Sequence, residues 1–247
     1  MKISVLFPTK NQSAKLLANL KEVVIPYFDA TGLTYEVLID ASGSNEANLA
    51  LLQKGIKGFP LQVSQIEPTS HLGKGYAVGR LLKAAKGDYS LFMDADLSTD
   101  LKAFDEIIPL LGSYDAFFGS RHSKDSIITK KQTALRRLTS VGSRFIIRAM
   151  FHLGAIKDTQ CGFKAFRNEV GKNIAAHQII DGFAFDVEYA YILKLNGCSI
   201  KEIPVTWEND PDSSVSAIKT SINFMKDLLK IKKNKKNYFF KGENHAD

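Results

Sequence analysis

Two carboxylates one residue apart follow an apolar run near the middle of the chain. Asp94 and Asp96 come directly after Tyr89–Met93 and are separated only by Ala95. Side chains alternate in direction along a strand, so both carboxylates leave on the same side and can meet one hard cation. The run is typical of a buried parallel strand, and ligands of open α/β sheets bind where such strands end. The pattern therefore indicates a Mg²⁺ or Mn²⁺ site, with a solvated turn or a helix cap as the alternative.

The elements that must position these residues alternate between strands and helices in the first half of the chain. Predicted strands cover residues 3–7, 35–39, 61–66, 89–93 and 114–118, with helices between most of them. Further along, the pattern predicts a basic amphipathic helix over 127–153, a loop and short strand over 158–166, a helix over 185–195, an outer strand over 199–207 and a last helix over 217–232. This order predicts an α/β fold, with a mostly parallel twisted sheet flanked by helices.

The composition is that of one folded domain. The chain has 247 residues, of which 45% are hydrophobic and 24% charged, and we expect a domain over residues 1–230 followed by a basic tail over 231–247. The two cysteines, Cys161 and Cys198, have no metal-ligand spacing and form no disulfide framework, which favours a reducing compartment. We find no apolar run of membrane-spanning length and no signal peptide, and predict a cytoplasmic protein.

The net charge of +7 is concentrated in two segments. Residues 121–148 are rich in lysine and arginine, and residues 226–241 contain seven lysines. Such patches suit phosphates, lipid head groups or nucleic acid, although a solvated basic face is an open alternative. No recognition module accompanies the charge, so we expect no nucleic-acid partner. We predict peripheral attachment of the last helix and its lysine tail to an anionic membrane on its inner face, with Tyr238, Phe239 and Phe240 as interfacial aromatics.

Several short motifs lie at predicted strand ends or follow them in a recognisable order. They are Pro8-Thr9-Lys10-Asn11, Asp40, Gly73-Lys74-Gly75, Phe92–Ser98 with its two aspartates, Gly119-Ser120-Arg121, Asp158–Lys164, Phe185-Asp186-Val187-Glu188 and Ile203–Trp207. Together they resemble the inverting family 2 glycosyltransferases, over about residues 2 to 230. Within that family the likeness is to the lipid-phosphate group of dolichyl-phosphate β-glucosyltransferase and dolichyl-phosphate mannose synthase. The resemblance implies the GT-A fold of nucleotide-diphospho-sugar transferases.

The resemblance also implies roles on the donor side. A nucleotide sugar, such as a UDP- or GDP-hexose, would bind along the residues Pro8, Thr9, Asn11, Asp40, Lys74, Asp94 and Ala95. Asp40 would accept from the base, or alternatively cap an ordinary turn. The two glycines beside Lys74 allow close backbone approach, while its ammonium supplies charge to the diphosphate. Asp94 and Asp96 would hold the metal, with Ser98 at the position of another contact.

On the acceptor side, a phosphate monoester is already largely ionised at neutral pH and needs cationic positioning rather than a general base. Arg136 and Ser140 stand one helical turn apart, and with Arg121 they form a candidate phosphate clamp, to which Gln160 would contribute. The alternative for the arginines is a solvated helix face. The predicted catalytic set is Asp94, Asp96, Arg121, Arg136 and Asp158. The roles of Asp186 and Glu188 stay open between positioning the sugar and bracing a helix.

The predicted function is transfer of glucose or mannose from a nucleotide sugar to a polyprenyl or dolichyl phosphate, with a divalent metal. A glycan hydroxyl acceptor and a non-catalytic nucleotide-sugar-binding module are the alternatives. The chain departs from its relatives at Lys10-Asn11-Gln12, where they carry Tyr-Asn-Glu, and at Asp40-Ala41-Ser42, where they carry paired aspartates. Acidic groups near the nucleotide are thereby lost, so the motifs do not specify the base or the sugar.

Overall fold

A computed structural model describes residues 1–71, 73–129, 134–208 and 217–240, and the side chains of 134–140 and 217–221 fall outside the description. Its centre is a seven-stranded sheet in the order β3-β2-β1-β4-β7-β5-β8. The strands are β1 (Lys2–Pro8), β2 (Thr34–Asp40), β3 (Val63–Gln65), β4 (Tyr89–Met93), β5 (Ala116–Ser120), β7 (Phe163–Arg167) and β8 (Ile200–Pro204), and a small parallel pair is formed by β6 (Ile127–Ile128) and β9 (Thr206–Trp207). The predicted α/β architecture is confirmed.

The helices lie between and after these strands. They are α1 (Ser13–Asn19), a π-helical segment (Leu20–Val24), α2 (Ile25–Thr31), α3 (Glu46–Ile56), α4 (Lys74–Ala84), α5 (Ala134–Phe151), α6 (Asn168–His177), α7 (Phe185–Leu195) and α8 (Ala217–Lys233). Two sequence predictions are corrected here. The helix predicted from residue 127 begins at Ala134, because Ile127 and Ile128 pair with Thr206 and Trp207 as a strand. Helix α6 was not predicted at all.

One strand of the sheet runs against the others. Strand β7 pairs antiparallel with both β4 and β5, whereas β1, β2, β3 and β4 are parallel to one another and β5 is parallel to β8. The amino end of β7 therefore lies at the same edge of the sheet as the carboxyl ends of β4 and β5. As a result, the segment just before Phe163 reaches the edge that carries Asp94 and Asp96.

The sheet separates two apolar clusters. On β1, Ile3, Val5 and Phe7 belong to one cluster, and Leu6 belongs to the other, as the alternation of side chains along a strand requires. All four side chains are fully buried. Both faces of the sheet are therefore covered by packed side chains. The strands are held firmly, and the site is built on their ends.

The C-terminal segment is part of the fold up to Phe240. The predicted boundary at residue 230 lies inside α8, and Ile231 and Tyr238 are fully buried. The Tyr238 hydroxyl donates to Glu188 Oε1 at 2.7 Å, and its carbonyl accepts from Asn196 Nδ2 at 2.8 Å. Tyr238 is therefore a core residue and not an interfacial aromatic. In the described ranges, no helix combines the length and apolar character needed to cross a membrane.

Candidate active site

The two central carboxylates lie where β4 ends. Oδ1 of Asp96 accepts from the Ser98 amide at 2.9 Å, which folds the chain into a tight turn directly after the strand. Leu97 occupies the left-handed region at φ 51° in that turn. The Ala95 carbonyl accepts from Asn19 Nδ2 at 2.9 Å, so the end of α1 holds the middle of the motif. Sequence reasoning missed Asn19, because a lone polar residue at the end of an apolar helix gives no signal.

Gly162 leaves the space that the Asp94 carboxylate occupies. A Cβ at position 162 would lie 2.0 Å from Asp94 Oδ2 and 2.5 Å from its Cγ. The Gly162 carbonyl also accepts from the Asp94 amide at 3.2 Å, next to the first β4–β7 pair. Only a glycine lets the antiparallel strand β7 run this close to the carboxylate.

Lys74 forms an ion pair with Asp94. Its Nζ lies 2.5 Å from Asp94 Oδ1 and 5.3 Å from the centre of the Phe92 ring. Burial alone would lower the pKa of Lys74, but the negative charges of Asp94, Asp186 and Asp96 outweigh it, so the pKa is raised. Lys74 is therefore in contact with Asp94, and the charge of Asp96 also acts on it. The ammonium stays charged beside them.

The glycines on either side of Lys74 serve protein packing. A Cβ at Gly73 would lie 2.2 Å from the Asp181 carbonyl oxygen, and one at Gly75 would lie 2.5 Å from the Ile180 carbonyl oxygen. The sequence predicted that the backbone at these glycines would closely approach the donor diphosphate. The approach in the structure is to the loop between α6 and α7, which packs on the first turn of α4.

A second ion pair lies behind the first. Lys164 is fully buried, and its Nζ is 2.5 Å from both Asp186 Oδ1 and the Cys161 carbonyl oxygen. Burial raises the pKa of Asp186, and the ammonium groups of Lys164 and Lys74 oppose that effect. Lys164 belongs to the motif Asp158–Lys164, but its role was not predicted. It is a buried cation that neutralises Asp186, whose charge also acts on Lys74.

Arg121 and Asp158 meet in a bidentate pair after β5. Arg121 Nε donates to Asp158 Oδ2 at 2.7 Å, Nη2 donates to Oδ1 at 2.9 Å, and the Arg121 amide adds a third bond at 3.0 Å. Although burial would raise it, these bonds hold the pKa of Asp158 well below its usual range. The guanidinium also lies 5.4 Å from the Trp207 ring centre. The Gln160 amide donates to Asp158 Oδ1 at 3.2 Å, so Arg121, Asp158 and Gln160 are contiguous.

Asp40 is fully buried at the end of β2. Its Oδ1 accepts from the amide and hydroxyl of Ser42 at 2.8 and 2.5 Å, and its Oδ2 accepts from Arg80 Nη1 at 3.0 Å. Asp40 therefore supports the turn and fixes Arg80, which sequence reasoning missed. In this conformation a direct contact between Asp40 and a nucleotide base would require Arg80 to move.

The end of β1 completes the predicted donor side. Pro8 and Thr9 are buried, and Thr9 Oγ1 has no hydrogen-bond partner among the described residues. Asn11 takes a left-handed conformation at φ 56°, in which its Oδ1 accepts from the Asn45 amide at 2.9 Å. An unpaired buried hydroxyl beside the strand-end carboxylates is a donor that a ligand would satisfy.

Three predicted residues remain, one with two open roles and two whose side chains are not described. Glu188 accepts from the amides of Ile179 and Ile180 and from the Tyr238 hydroxyl, so it braces α7 against the loop and the C-terminal segment. Arg136 and Ser140 lie on the first turns of α5, where the side chains fall outside the described residues. Their part in a phosphate clamp stays a prediction.

The carboxylates present suit a divalent metal that is shared with a ligand. Asp94 and Asp96 supply hard oxygen donors from one strand end, and in the described part of the chain no group of three or more histidine, cysteine or acidic side chains is arranged to hold a metal. Mg²⁺-like ions are commonly bound by one or two carboxylates together with substrate phosphates. The ammonium of Lys74 already lies against Asp94 as a cation would.

The fold is the one found in glycosyltransferases. The profile of glycosyl transferase family 2 matches residues 4–174, and the chain belongs to that family. Crystal structures of M. tuberculosis glucosyl-3-phosphoglycerate synthase share the GT-A fold. One of them has a TM-score of 0.67 at 19% identity and covers 93% of this chain and 80% of that one. Another, in complex with Mn²⁺, UDP and glucosyl-3-phosphoglycerate, has a TM-score of 0.66.

The sequence is also similar to characterised enzymes over most of its length. Dolichyl-phosphate beta-glucosyltransferase of Dictyostelium discoideum is 29% identical over 241 residues, which are 93% of this chain and 73% of the relative. The Homo sapiens enzyme of the same name is 26% identical over 243 residues, or 93% of this chain and 74% of the relative. The predicted resemblance is thus confirmed, and the protein is a glycosyltransferase.

Proposed function

We propose that this glycosyltransferase moves glucose from a nucleotide sugar, UDP-glucose, to a polyprenyl or dolichyl phosphate. The relatives named above support the sugar and the lipid phosphate, and the structural neighbours that bind UDP support the nucleotide. Mannose and a GDP donor are the alternatives that a donor screen separates.

The observation that carries the acceptor assignment is a basic group beside an apolar helix face. Arg121 follows β5, and Arg144 of α5 lies close enough to help lower the pKa of His122, after the larger effect of burial. On the same helix, Val141 and Phe145 lie one turn apart and are exposed, Phe145 to 75%. A phosphate on the arginines would leave its isoprenoid chain along the apolar stripe.

The residues that would hold the metal are Asp94 and Asp96, with the donor diphosphate supplying further oxygens. A bound Mg²⁺ or Mn²⁺ neutralises charge on the departing diphosphate. The chain's own groups complete the site, because Lys74 offers an ammonium to the same diphosphate and Thr9 offers its unpaired hydroxyl. A phosphate acceptor carries its own nucleophilic oxygen, so the site needs no general base.

A panel of acceptors tests this assignment. Purified protein with Mn²⁺ or Mg²⁺ would receive UDP-glucose, UDP-galactose or GDP-mannose together with a short polyprenyl phosphate, and mass spectrometry would identify the product. The matched polyprenol, which lacks the phosphate, is the control acceptor, and a glycan is the competitor. We expect glucosyl phosphate lipid from the phosphate alone. Transfer to a hydroxyl acceptor at a similar rate would reject the lipid-phosphate assignment.

We further propose that α5 and α8 attach the protein to an anionic membrane. The two helices contact one another, and α8 exposes Ile222 and Leu229 to 56% and 50% beside its lysines. Exposed apolar stripes flanked by cations bind the interface of acidic lipid bilayers. Helix α5 thereby joins the last helix that the sequence predicted, whereas Ile231 and Tyr238 at the end of that segment are packed into the fold.

Co-sedimentation with vesicles that contain phosphatidylserine tests the attachment. Phe145→Ser and Ile222→Ser should each weaken binding by about tenfold to a hundredfold, since burying such a side chain contributes about 1.5–3 kcal/mol. Leu61, which is fully exposed on the far β3 side of the sheet, gives the matched control Leu61→Ser. Truncation after Lys230 is unsuitable, as it removes buried Ile231 and Tyr238. Equal sedimentation of all variants would reject this surface.

A further inference from the structure

The ammonium of Lys74 lies against Asp94, one of the two carboxylates that would hold the metal. Its Nζ is 2.5 Å from Asp94 Oδ1, and the fields of Asp186 and Asp96 also act on it. The side chain is one-quarter exposed and the Asp94 side chain is 30% exposed, so the pair faces the open edge of the sheet. The ammonium is thus accessible to a ligand while it holds the carboxylate.

The charges around this pair leave Lys74 as the cation that balances Asp94. The fully buried Lys164 already lies 2.5 Å from Asp186, which leaves the Lys74 ammonium for the exposed carboxylates. Three aspartates and two lysines therefore share the site, and one negative charge remains uncompensated. The backbone beside Lys74 packs closely against Asp181, whose carbonyl also accepts from the Tyr76 amide at 3.2 Å.

We propose that the Lys74 ammonium holds the cation's place on Asp94 in the ligand-free protein and passes to the donor diphosphate when the cation binds. This inference rests on the proposed use of a divalent metal. A cation that enters at Asp94 takes the charge of the same carboxylate and repels the ammonium beside it. The diphosphate, which arrives with the opposite charge, is the new partner that the ammonium needs.

This exchange predicts that loss of the Lys74 ammonium changes two binding affinities, for metal alone and for the nucleotide, in opposite directions. Without nucleotide, Lys74 competes with the metal, so the apparent metal affinity is reduced by the fraction of molecules in which the ion pair is formed. With nucleotide, Lys74 and the metal bind the same diphosphate. Removal of the ammonium should therefore tighten the binding of metal alone and weaken the binding of the nucleotide in the presence of metal.

The experiment measures both affinities in the full chain. Free Mn²⁺ would be followed by electron paramagnetic resonance, and UDP binding at saturating Mn²⁺ by equilibrium dialysis. For Lys74→Met we expect Mn²⁺ alone to bind about threefold to tenfold more tightly. UDP should bind about tenfold more weakly or worse, as for a lost charge-assisted hydrogen bond. Lys74→Arg keeps the charge and should bind Mn²⁺ like the parent.

Lys83, an exposed lysine near the end of the same helix, supplies the matched control. Lys83→Met removes an equal charge far from Asp94 and should change neither affinity. Lys74→Gln, whose amide can still donate to Asp94, serves in place of Lys74→Met if the latter unfolds by circular dichroism. Equal Mn²⁺ affinities of the parent and of the variant that lacks the ammonium, Lys74→Met or Lys74→Gln, or an equal shift in Lys83→Met, would overturn the exchange. A parent that binds no Mn²⁺ even with UDP would overturn the metal assignment itself.

Discussion

Gly162→Ala is expected to disturb the candidate active site while it leaves the fold intact. The new Cβ would lie 2.0 Å from Asp94 Oδ2, whereas ordinary contacts begin at 3.4 Å, so the carboxylate must move by roughly 1.4 Å. Because the atoms in the way are the end of a partly exposed side chain, the backbone pairing of β4 and β7 can persist. Gly162 does not have a positive φ, so its backbone conformation is open to alanine.

The size of the effect follows from this displacement. A misplacement of about 1 Å in a positioned group can cost on the order of 10²-fold in rate, and we expect a loss of that size in kcat. The free energy of unfolding should change by less than about 1 kcal/mol, since alanine also restricts the unfolded chain. Activity then falls without a comparable loss of stability.

The assay compares sugar transfer, Mn²⁺ affinity and thermal unfolding in Gly162→Ala and in a control. Gly154→Ala is suited as the control, because a Cβ at position 154 meets nothing within 4 Å. The control should retain transfer and metal binding. If Gly162→Ala keeps both the rate and the Mn²⁺ affinity of the parent, Asp94 does not need the position in which the structure holds it, and its assignment as a metal ligand fails.

Three further predictions concern the ionisable side chains of Asp96, Arg121 and Glu188. Asp96→Asn should abolish transfer while thermal unfolding stays close to that of the parent, and full activity in excess chelator would contradict the metal role. Arg121→Lys should reduce transfer at all acceptor concentrations. It should also lower the free energy of unfolding by up to about 3 kcal/mol, because lysine cannot replace the bidentate bonds to buried Asp158. An unchanged denaturation midpoint would show that these bonds do not stabilise the fold. Burial raises the pKa of Glu188 to about 7, against its bonds from Tyr238 and two amides, so the native state binds a proton more tightly than the unfolded chain. Stability from this group is complete below the usual carboxyl pKa and is lost as the pH rises toward 7, and denaturation of Glu188→Gln across that range should show a flatter profile.

Much of the sheet could be predicted because its strands are continuous apolar runs. The five predicted strands of the first half correspond to β1 to β5, and the helix predicted over 185–195 is α7. The direction of β7 could not be predicted, since an apolar strand has the same pattern whichever way it runs. That direction matters for the site. It is the reason why Gly162, which precedes its strand, lies beside Asp94, which follows one.

Ion pairs between segments that are distant along the chain could not be predicted from the sequence either. Lys164 and Asp186 are 22 positions apart, and Arg80 and Asp40 are 40 apart, so only the folded sheet brings them together. The predicted strand-end residues are found at one edge, but the sequence could not show which of them are already bound to protein groups. Asp40 illustrates the difference, because both its oxygens accept from the chain itself.

The long helices show what an apolar stripe can and cannot indicate. Periodicity located Val141 and Phe145 on one side of α5, yet these residues are exposed, whereas Ile147 and Phe151 of the same helix are buried. Helix α8 repeats this arrangement, with Leu228 and Ile231 buried and Ile222 and Leu229 exposed. Each helix therefore has one apolar side that completes the fold and another that the fold leaves in water. Exposed apolar surface of this extent is unfavourable unless a partner covers it, and the lysines beside it favour an anionic bilayer over a neutral protein surface. An acceptor held in such a bilayer would then reach Arg121 from the side on which the helices attach.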